Sequence, residues 1–264
     1  AALIEGYGDT NGLPLFRKYA DSFSAAYRES FYPRAAVADI KLFEQSIDTN
    51  DIATHVCHPQ GAGSRARRFK VVNVGEPSAL SDVIPILENL GARVLGENPY
   101  CLKGDETRDD IWLHDFSLEL QFEKNDLLAL KSPFSEAFHA VWHGLCDNDG
   151  FNRLVLAAGL PWREVVVLRG YANYFKQTLF SLDLSTIAQA LIEHPEIAKA
   201  IIEGFYRRFD PALADNSLDW VDGVTSMLDA VTRLDFDRVF RRYLETIKAT
   251  LRTNFFQTKG IRAC

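Results

Sequence analysis

The sequence predicts an α+β fold, in which an antiparallel β-sheet with helices of the ferredoxin-like type is followed by an all-α helical bundle. Apolar residues alternate over 111–122, as in a strand, and recur every three to four residues over 78–91, as in a helix. From residue 147 onward only the helical period remains. The pattern therefore predicts three segments: a helical segment at 1–49 that packs on the next domain, an α/β domain at 50–146 and a helical domain at 147–264.

Two amphipathic helices are predicted in the first segment. Apolar residues at helical spacing indicate the first helix over residues 13–31. Pro33 opens the second helix, because proline is tolerated in the first turn, and Val37, Ile40 and Phe43 continue its apolar stripe. Each helix has one apolar face, so both are expected to pack against a neighbouring element.

The second segment is predicted to contain four strands and one crossover helix. Gly75 and Pro77 separate the second strand from the helix, Ser78 is predicted to cap the start of the helix, and Gly91 is predicted to end it. The strands are predicted at 52–57, 68–74, 93–102 and 111–122, and a further helix is predicted at 133–145.

The order of these elements predicts a permuted sheet. A ferredoxin-like domain runs βαββαβ, and its last strand lies antiparallel beside its first. Here the two opening strands, 52–57 and 68–74, form a hairpin that places a strand in that same position. We therefore predict a permuted, ACT-like domain, with strand 52–57 antiparallel to strand 68–74 on the side away from strand 93–102.

The third segment is predicted to be a bundle of helices. Pro161 begins a helix with a wide apolar face, and Pro195 opens another. Ser185 is predicted to cap the short helix between them, and Asp235 is predicted to cap the last helix. The apolar stripe of that last helix continues to Phe255, so the helix is predicted to extend that far. Bundle packing accounts for these stripes, and we find no catalytic motif on them.

Charge and composition exclude several classes of partner. A net charge of -7 argues against nucleic acid and against an anionic membrane surface, because both bind basic patches. No apolar run approaches the roughly 20 residues that cross a bilayer. The cysteines are widely spaced, which favours reduced thiols in a cytoplasmic protein over a disulfide framework. They are Cys57, Cys101, Cys146 and Cys264.

Two groups of residues resemble metal sites. His55, Cys57 and His58 offer zinc donors at a strand end, and Cys101 or His114 would have to complete the four ligands of a structural site. No second pair lies at the usual spacing, so an ordinary strand end is favoured over a metalloenzyme centre. His139 and His143 share a helix face but lack the intervening glutamate of zinc proteases. We therefore predict no metal ligands.

Motifs for cofactor binding and acid–base chemistry are similarly weak. Gly61-Ala62-Gly63 follows a strand but precedes no helix, so we interpret it as a hairpin loop and not as a phosphate-binding loop. His114 and Asp115 are adjacent on a strand and therefore point to opposite faces, which prevents them from acting as an acid–base pair. We predict no catalytic and no cofactor-binding residues in this chain.

The turn that joins the second strand to its helix is the one candidate ligand site. Gly75, Glu76 and Ser78 lie in it. Backbone N–H groups at a helix start receive carboxylates well, so an amino-acid effector is the candidate ligand here, and a purely architectural turn is the favoured alternative. In ACT-type domains the corresponding turn often meets such an effector.

Seven blocks of the sequence resemble the large, ACT-containing NAD-specific glutamate dehydrogenases of bacteria, in the order in which that family carries them. They are YADSFSAAYRESF at 19–31, AVADI at 36–40, GEPSALSDVIPILENLG at 75–91, IWLHDF at 111–116, DGFNRLVLAAGLPWREV at 149–165, HPEIA at 194–198 and LRTNFFQ at 251–257. None of these blocks is a generic motif, so the resemblance is specific.

The resemblance implies a parent enzyme that converts L-glutamate to 2-oxoglutarate and ammonia with NAD. In that family the cofactor fold and the catalytic residues follow the LRTNFFQ segment, so this chain is expected to be an inactive regulatory and architectural fragment. Its expected partners are the remaining polypeptide, other subunits of a homo-oligomer and an amino-acid effector. The alternative hypothesis is a stand-alone, ACT-type amino-acid-binding module.

Overall fold

The computed structural model describes residues 2–59, 63–104, 109–122, 127–178, 180–213 and 219–257. Contacts divide the chain into two compact units. The first, which we call the sheet unit, comprises Ala1–Glu88 and Ala92–Glu123. The second, which we call the helical unit, comprises Asn89–Gly91 and Lys124–Cys264. Each unit has its own core and is described separately.

Three helices open the sheet unit: α1 (Ala2–Tyr19), α2 (Ala25–Ser30) and α3 (Pro33–Thr49). The single helix predicted at 13–31 is thus two helices, because the chain turns after Tyr19 and Ser24 caps α2 by accepting a hydrogen bond from the Tyr27 N–H at 3.3 Å. Helix α1 is kinked at Gly8, whose φ is 75°. Helix α3 begins at Pro33, as predicted, and packs on the first two strands.

Four antiparallel strands form one sheet in the order β1-β2-β4-β3. The strands are β1 (Ala53–Cys57), β2 (Ala66–Val74), β3 (Ala92–Leu102) and β4 (Ile111–Leu120). Strand β1 pairs with β2 in the register Ala53 to Val72, on the side away from β3. The predicted permutation of the ferredoxin-like sheet is therefore confirmed, and so is the α+β class.

The crossover helix α4 (Leu80–Asn89) connects β2 to β3 and buries Val83, Ile86 and Leu87. The prediction that Ser78 caps this helix is wrong. The Ala79 carbonyl accepts the first helical hydrogen bonds, from the N–H groups of residues 82 and 83, so the helix starts one residue later than predicted. Gly91 has a φ of 88° just after the helix, as a terminating glycine should.

The two faces of the sheet follow the alternation of its strands. One face carries Val72 and Leu113, which pack with Tyr27, Ile40 and Phe43 of the N-terminal helices in a single apolar cluster. This packing holds the N-terminal helices on the sheet. The residues between them in sequence lie on the opposite face, whose apolar members are also fully buried: Phe69, Val71, Phe116 and Leu118.

The helix predicted at 133–145 is α5 (Leu127–Trp142). We assigned it to the α/β domain, with a boundary at 146, but contacts place the boundary between Glu123 and Lys124. The reason is that α5 packs against the helices that follow it in sequence. The sheet unit therefore keeps only one of the two helices of a ferredoxin-like domain.

The helical unit continues with a 3-10 turn at Gly150–Arg153 and six helices. These are α6 (Leu154–Ala157), α7 (Trp162–Gln177), α8 (Leu184–Glu193), α9 (Pro195–Phe209), α10 (Asp219–Leu228) and α11 (Leu234–Ala249). The predicted inner face of α7 is buried at Val165, Leu168, Ala172 and Phe175. The next residue assigned to that stripe, Leu179, lies outside the described residues.

Two predicted caps in this unit are each wrong by two residues. Asp183, and not Ser185, caps α8, since its carboxylate accepts a hydrogen bond from the Thr186 N–H at 2.7 Å. Helix α11 begins after Arg233, so Asp235 lies inside its first turn. There the Asp235 carboxylate pairs with the Arg233 guanidinium.

Helix α11 ends at Ala249, although its apolar spacing predicted a helix to Phe255. Arg208 of α9 explains the early end, because Nη2 donates to the Lys248 carbonyl at 2.9 Å and to the Thr250 carbonyl at 3.0 Å. These bonds satisfy carbonyl groups that the next helical turn would have used. Leu251 is consequently exposed, and Phe255 is buried in the turn that follows.

None of the described helices combines the length and apolar character that a bilayer-spanning helix requires.

Candidate functional site

The predicted ligand turn lies at the end of β2. Gly75 has a φ of 91°, and its N–H donates to the Asp110 carbonyl at 2.8 Å. This donor is therefore already engaged within the protein. Glu76 is exposed, and its carbonyl accepts a hydrogen bond from Asn73 Nδ2 at 2.8 Å. The Glu76 carboxylate is consequently the exposed charge of the turn.

Ser78 is 7% exposed, and its Oγ has no hydrogen-bond partner among the described residues. Burying a hydroxyl without a partner costs about 1–3 kcal/mol, so this position is a site where an added acceptor or donor would be stabilising. The sequence does not reveal this unpaired hydroxyl. We interpreted Ser78 as a helix cap, and the hydroxyl of a helix cap accepts a hydrogen bond from the helix backbone.

A cavity of about 220 Å³ lies next to this turn, at the end of the sheet unit where β2 and β3 finish. Two cations reach it: Lys18, which pairs with Glu44 at 2.7 Å, and Lys103, which pairs with Asp110 at 2.7 Å. Gly75, Glu76 and Ser78 do not line it. Its lining consists of Lys18, Tyr19, Ser22, Ile47, Val74, Leu102, Lys103, Gly104, Asp109 and Ile111.

A buried cluster of charged residues lies between the N-terminal helices and the sheet. Lys70 Nζ of β2 donates to both carboxylate oxygens of Asp39 of α3, each at 2.6 Å. Tyr27 Oη donates to the same carboxylate at 2.6 Å. Arg68 forms a two-point ion pair with Asp115 of β4, in which Nε lies 3.0 Å from Oδ1. Two cations and two acids therefore neutralise each other inside the unit.

Burial shifts the pKa values of two groups in this cluster. Asp115 is fully buried, and burial raises the pKa of its carboxyl even though Arg68 opposes the shift. Burial and the Asp39 carboxylate raise the pKa of Tyr27 far above its ordinary range. The Phe31 ring covers the Lys70 ammonium at 4.2 Å from the ring centroid. We did not predict this cluster from the sequence.

His114 and Asp115 point to opposite faces, as predicted. On the face opposite to the charged cluster, His114 Nδ1 lies 2.8 Å from Glu97 Oε1 of β3. The histidine is 4% exposed, and its Nε2 has no partner among the described residues. Since Asp115 pairs with Arg68 on the other face, the two residues form no acid–base pair.

The sheet geometry separates the proposed zinc donors. His55 and Cys57 share a face and oppose Lys70 and Arg68 in the register. Cys101 opposes Trp112 in the register, which places it with His114 on the other face of the sheet. These residues therefore cannot complete a four-ligand site around His55 and Cys57. Burial also raises the pKa of the Cys57 thiol, which disfavours a metal-binding thiolate.

The remaining sequence candidates make contacts with residues near them in sequence. His58 Nδ1 lies 2.7 Å from the Pro59 carbonyl. The His139 ring of α5 stacks on the ring of His143, which follows the helix, with centroids 6.0 Å apart. Of the predicted hairpin loop, Gly61 and Ala62 lie outside the described residues, and the Gly63 carbonyl accepts a hydrogen bond from Ala66.

The helical unit has its own buried charge, which the sequence analysis also missed. Arg169 of α7 is 4% exposed and donates through Nε and Nη2 to the two carboxylate oxygens of Asp149, at 2.8 and 2.9 Å. Nη2 also donates to Asn152 Oδ1 at 2.6 Å. The DGFNR segment thus folds around one guanidinium. In the sequence, the buried charge is indicated only by the position of Arg169 among the apolar residues of a helical pattern.

Family models for glutamate dehydrogenases match successive parts of the chain. They are glutamate dehydrogenase helical motif 2 at 2–45, the glutamate dehydrogenase ACT3 domain at 51–130, glutamate dehydrogenase helical motif 3 at 146–211 and the catalytic domain of bacterial NAD-glutamate dehydrogenase at 223–263. The last match corrects one expectation. We placed the catalytic domain wholly after this chain, whereas its model already includes α11.

Curated relatives agree with these matches. The chain is 40% identical over 264 residues to the NAD-specific glutamate dehydrogenase of Halomonas elongata, 39% identical over 266 residues to that of Pseudomonas aeruginosa, and 32% identical over 255 residues to that of Mycobacterium tuberculosis. The alignments cover 97%, 98% and 91% of this chain but only 16%, 16% and 15% of those relatives. The chain belongs to the family of bacterial NAD-specific glutamate dehydrogenases, of which it carries the ACT3 domain, helical motifs 2 and 3 and the start of the catalytic domain.

Proposed function

We propose that this chain serves as a non-catalytic regulatory and architectural part of an NAD-specific glutamate dehydrogenase. The parent enzyme oxidatively deaminates L-glutamate to 2-oxoglutarate and ammonia and reduces NAD. NAD is bound by the parent enzyme and not by these residues. The partners of the segment are the remaining polypeptide and other subunits of a homo-oligomer, in the cytoplasm.

One observation carries the non-catalytic part of this proposal. The buried acids of the sheet unit are hydrogen-bonded to other side chains of the same unit. Asp39 binds Lys70 and Tyr27, and Asp115 binds Arg68. A general base must keep a lone pair within reach of substrate. Groups whose lone pairs are engaged in a closed network stabilise a packing arrangement instead, which is the behaviour expected of an architectural element.

The non-catalytic part is tested further in the complete enzyme with the double substitution Glu76→Ala and Ser78→Ala in the predicted turn. We expect kcat to stay within about twofold of the parent value, because no substituted group touches the reacting atoms. The matched control is Glu88→Ala with Ser81→Ala, both exposed on helix α4. A fall in kcat of about 100-fold in the turn variant alone, with an unchanged melting temperature, would assign these residues to the chemistry and contradict the proposal.

The alternative function is a stand-alone, ACT-type amino-acid-binding module. Its specific support is the buried Ser78 hydroxyl, which has no partner among the described residues. Calorimetry of the chain against L-amino acids tests it. Binding that is weakened by Ser78→Ala and unchanged by Ser81→Ala supports an effector site at the turn. Tight binding that is unaffected by Glu76→Ala and Ser78→Ala places the effector elsewhere.

A further inference from the structure

The helical unit contains a large open groove between helix α7 and the irregular segment that follows helix α11. The groove has a volume of about 1130 Å³. This exceeds the roughly 300–1,000 Å³ of ordinary small-molecule sites, so a small ligand would share the groove with water. One wall presents Asn173 and Gln177 of α7, and the other presents Thr253, Asn254 and Gln257. The polar side chains of two separate segments thus face one space.

Arg169 lines this groove, and one of its guanidinium nitrogens has no partner among the described residues. Nε and Nη2 are engaged by Asp149, Asn152 and the Asp147 carbonyl. Nη1 has no hydrogen-bond partner among the described residues. It is not one of the fully buried atoms, so solvent reaches it. The other two nitrogens fix the guanidinium plane, so Nη1 is a charged donor held in a set direction.

We propose that this groove binds a small molecule through a carboxylate group that accepts hydrogen bonds from Arg169 Nη1. A guanidinium fixed on one edge binds a carboxylate oxygen with little loss of side-chain entropy, and hydrogen bonds of this charged kind are among the strong ones in proteins. The proposal is independent of the function of the turn at Gly75–Ser78 and of the parent enzyme's reaction.

The charges around the groove set the class of ligand. Arg169 and Arg252 are balanced by Asp147 and by Asp149 behind Arg169. This balance suits a ligand of low charge, such as a monocarboxylate, a dicarboxylate or an amino-carboxylate, better than a multiply charged phosphate. The carboxamides of the walls, Asn173 and Asn254 among them, offer both donors and acceptors to the rest of such a ligand.

A blocking variant tests the site without disturbing Arg169. Gly170 lies on the exposed side of α7 in the groove, and a Cβ added there meets nothing within 4 Å. Gly170→Leu should therefore fold and place an apolar side chain in the groove next to Arg169. The matched control is Gly223→Leu on helix α10, where a Cβ also meets nothing within 4 Å. Calorimetry on the full chain uses glutarate and L-glutamate as probes, with glutaramide and inorganic phosphate as the non-carboxylate comparisons.

The expected result is binding of at least one of the two carboxylates, weakened about tenfold or more by Gly170→Leu and unchanged by Gly223→Leu. The comparison between glutarate and L-glutamate shows whether an amino group contributes. Equal affinity in the two leucine variants, absence of carboxylate binding, or equally tight binding of glutaramide or phosphate would each overturn the proposal.

Alkylation of Cys146 gives a second readout, because this half-buried thiol lines the groove. We expect the carboxylate probe to slow alkylation of Cys146 and to leave Cys57 and Cys101 of the sheet unit unchanged. An equal effect on all three cysteines, or no effect on Cys146 at a saturating probe concentration, counts against binding in the groove.

Discussion

The ammonium group of Lys70 on strand β2 donates to both carboxylate oxygens of Asp39 on helix α3, and neither side chain is more than 6% exposed. This ion pair connects the N-terminal helices to the sheet. Helical motif 2 and the ACT3 domain match separate stretches of the sequence, yet this contact and the shared apolar cluster make them one structural unit. Substitutions in the first segment should therefore alter the stability of the sheet.

The substitution Lys70→Met should destabilise the protein by about 3–5 kcal/mol, because it leaves the Asp39 carboxylate buried without its cation. Urea denaturation measures the change. Lys103→Met removes an ion pair with Asp110 that lies at the surface, and it should have a much smaller effect. The double variant Asp39→Asn with Lys70→Met should lose less than the sum of the single changes. Equal effects of Lys70→Met and Lys103→Met would show that the buried pair is not what holds the helices.

Helix α9 passes close to helix α10 at Gly204. A Cβ at this position would lie 2.1 Å from the Trp220 ring, whereas a Cβ at the exposed Gly223 meets nothing within 4 Å. Gly204→Ala should therefore lower the free energy of unfolding by about 1–3 kcal/mol through overpacking. Gly223→Ala should raise it by up to about 1 kcal/mol, since alanine favours the helix. Thermal unfolding of the two variants checks the opposite signs. The same sign in both would contradict the close packing of α9 and α10.

Glu164 in the first turn of α7 is half-buried, and burial raises the pKa of its carboxyl while a hydrogen bond from Tyr206 opposes the shift. The folded-state pKa therefore lies above the unfolded one. The ionised carboxylate destabilises the fold at neutral pH, and this penalty disappears as the pH falls below the ordinary glutamate pKa of about 4.3. Glu164→Gln should raise the stability at pH 7 and lose that advantage near pH 4.

The control for Glu164→Gln is Glu196→Gln, at an exposed position in the first turn of α9. It should show no gain at neutral pH. Stability measured across the pH range distinguishes the two variants. If the Glu164→Gln variant is less stable than the parent at pH 7, the fold stabilises the ionised Glu164 carboxylate. That result would contradict the prediction that burial destabilises it.

Two buried serines differ in their partners and should respond differently to alanine. Ser46 Oγ donates to the Asp51 carbonyl at 2.6 Å, whereas Ser78 Oγ has no partner among the described residues. Ser46→Ala should cost about 1–2 kcal/mol, and Ser78→Ala should be neutral or slightly stabilising. Urea denaturation compares them. A loss at Ser78 as large as that at Ser46 would reveal a hydrogen bond to the Ser78 hydroxyl in solution.

The strands and their permuted order could be predicted because their signals are local. Period-two alternation marks β4, and the short link between β1 and β2 leaves a hairpin as the simple connection. Helix caps were less predictable. Asp183 and Ser185 are both good capping residues two positions apart, so sequence alone does not choose between them. The end of α11 depends on Arg208, which comes from a different helix.

The buried charges could not be predicted for a related reason. Lys70 and Arg169 are charged residues in periodic apolar elements, and by composition alone they belong at the surface. Their partners, Asp39 and Asp149, lie 31 and 20 residues away in sequence. The pairings arise only when the tertiary fold brings these segments together, and the same holds for the cavity beside the predicted ligand turn.

The role that we propose for this chain is to contribute structure and regulation, and not chemistry, to a glutamate dehydrogenase. The most direct test is glutamate-dependent NADH formation by the purified chain with saturating L-glutamate and NAD. We predict no rate above that of a buffer control. NADH formation that co-purifies with the chain through successive columns, and that requires L-glutamate, would contradict the claim.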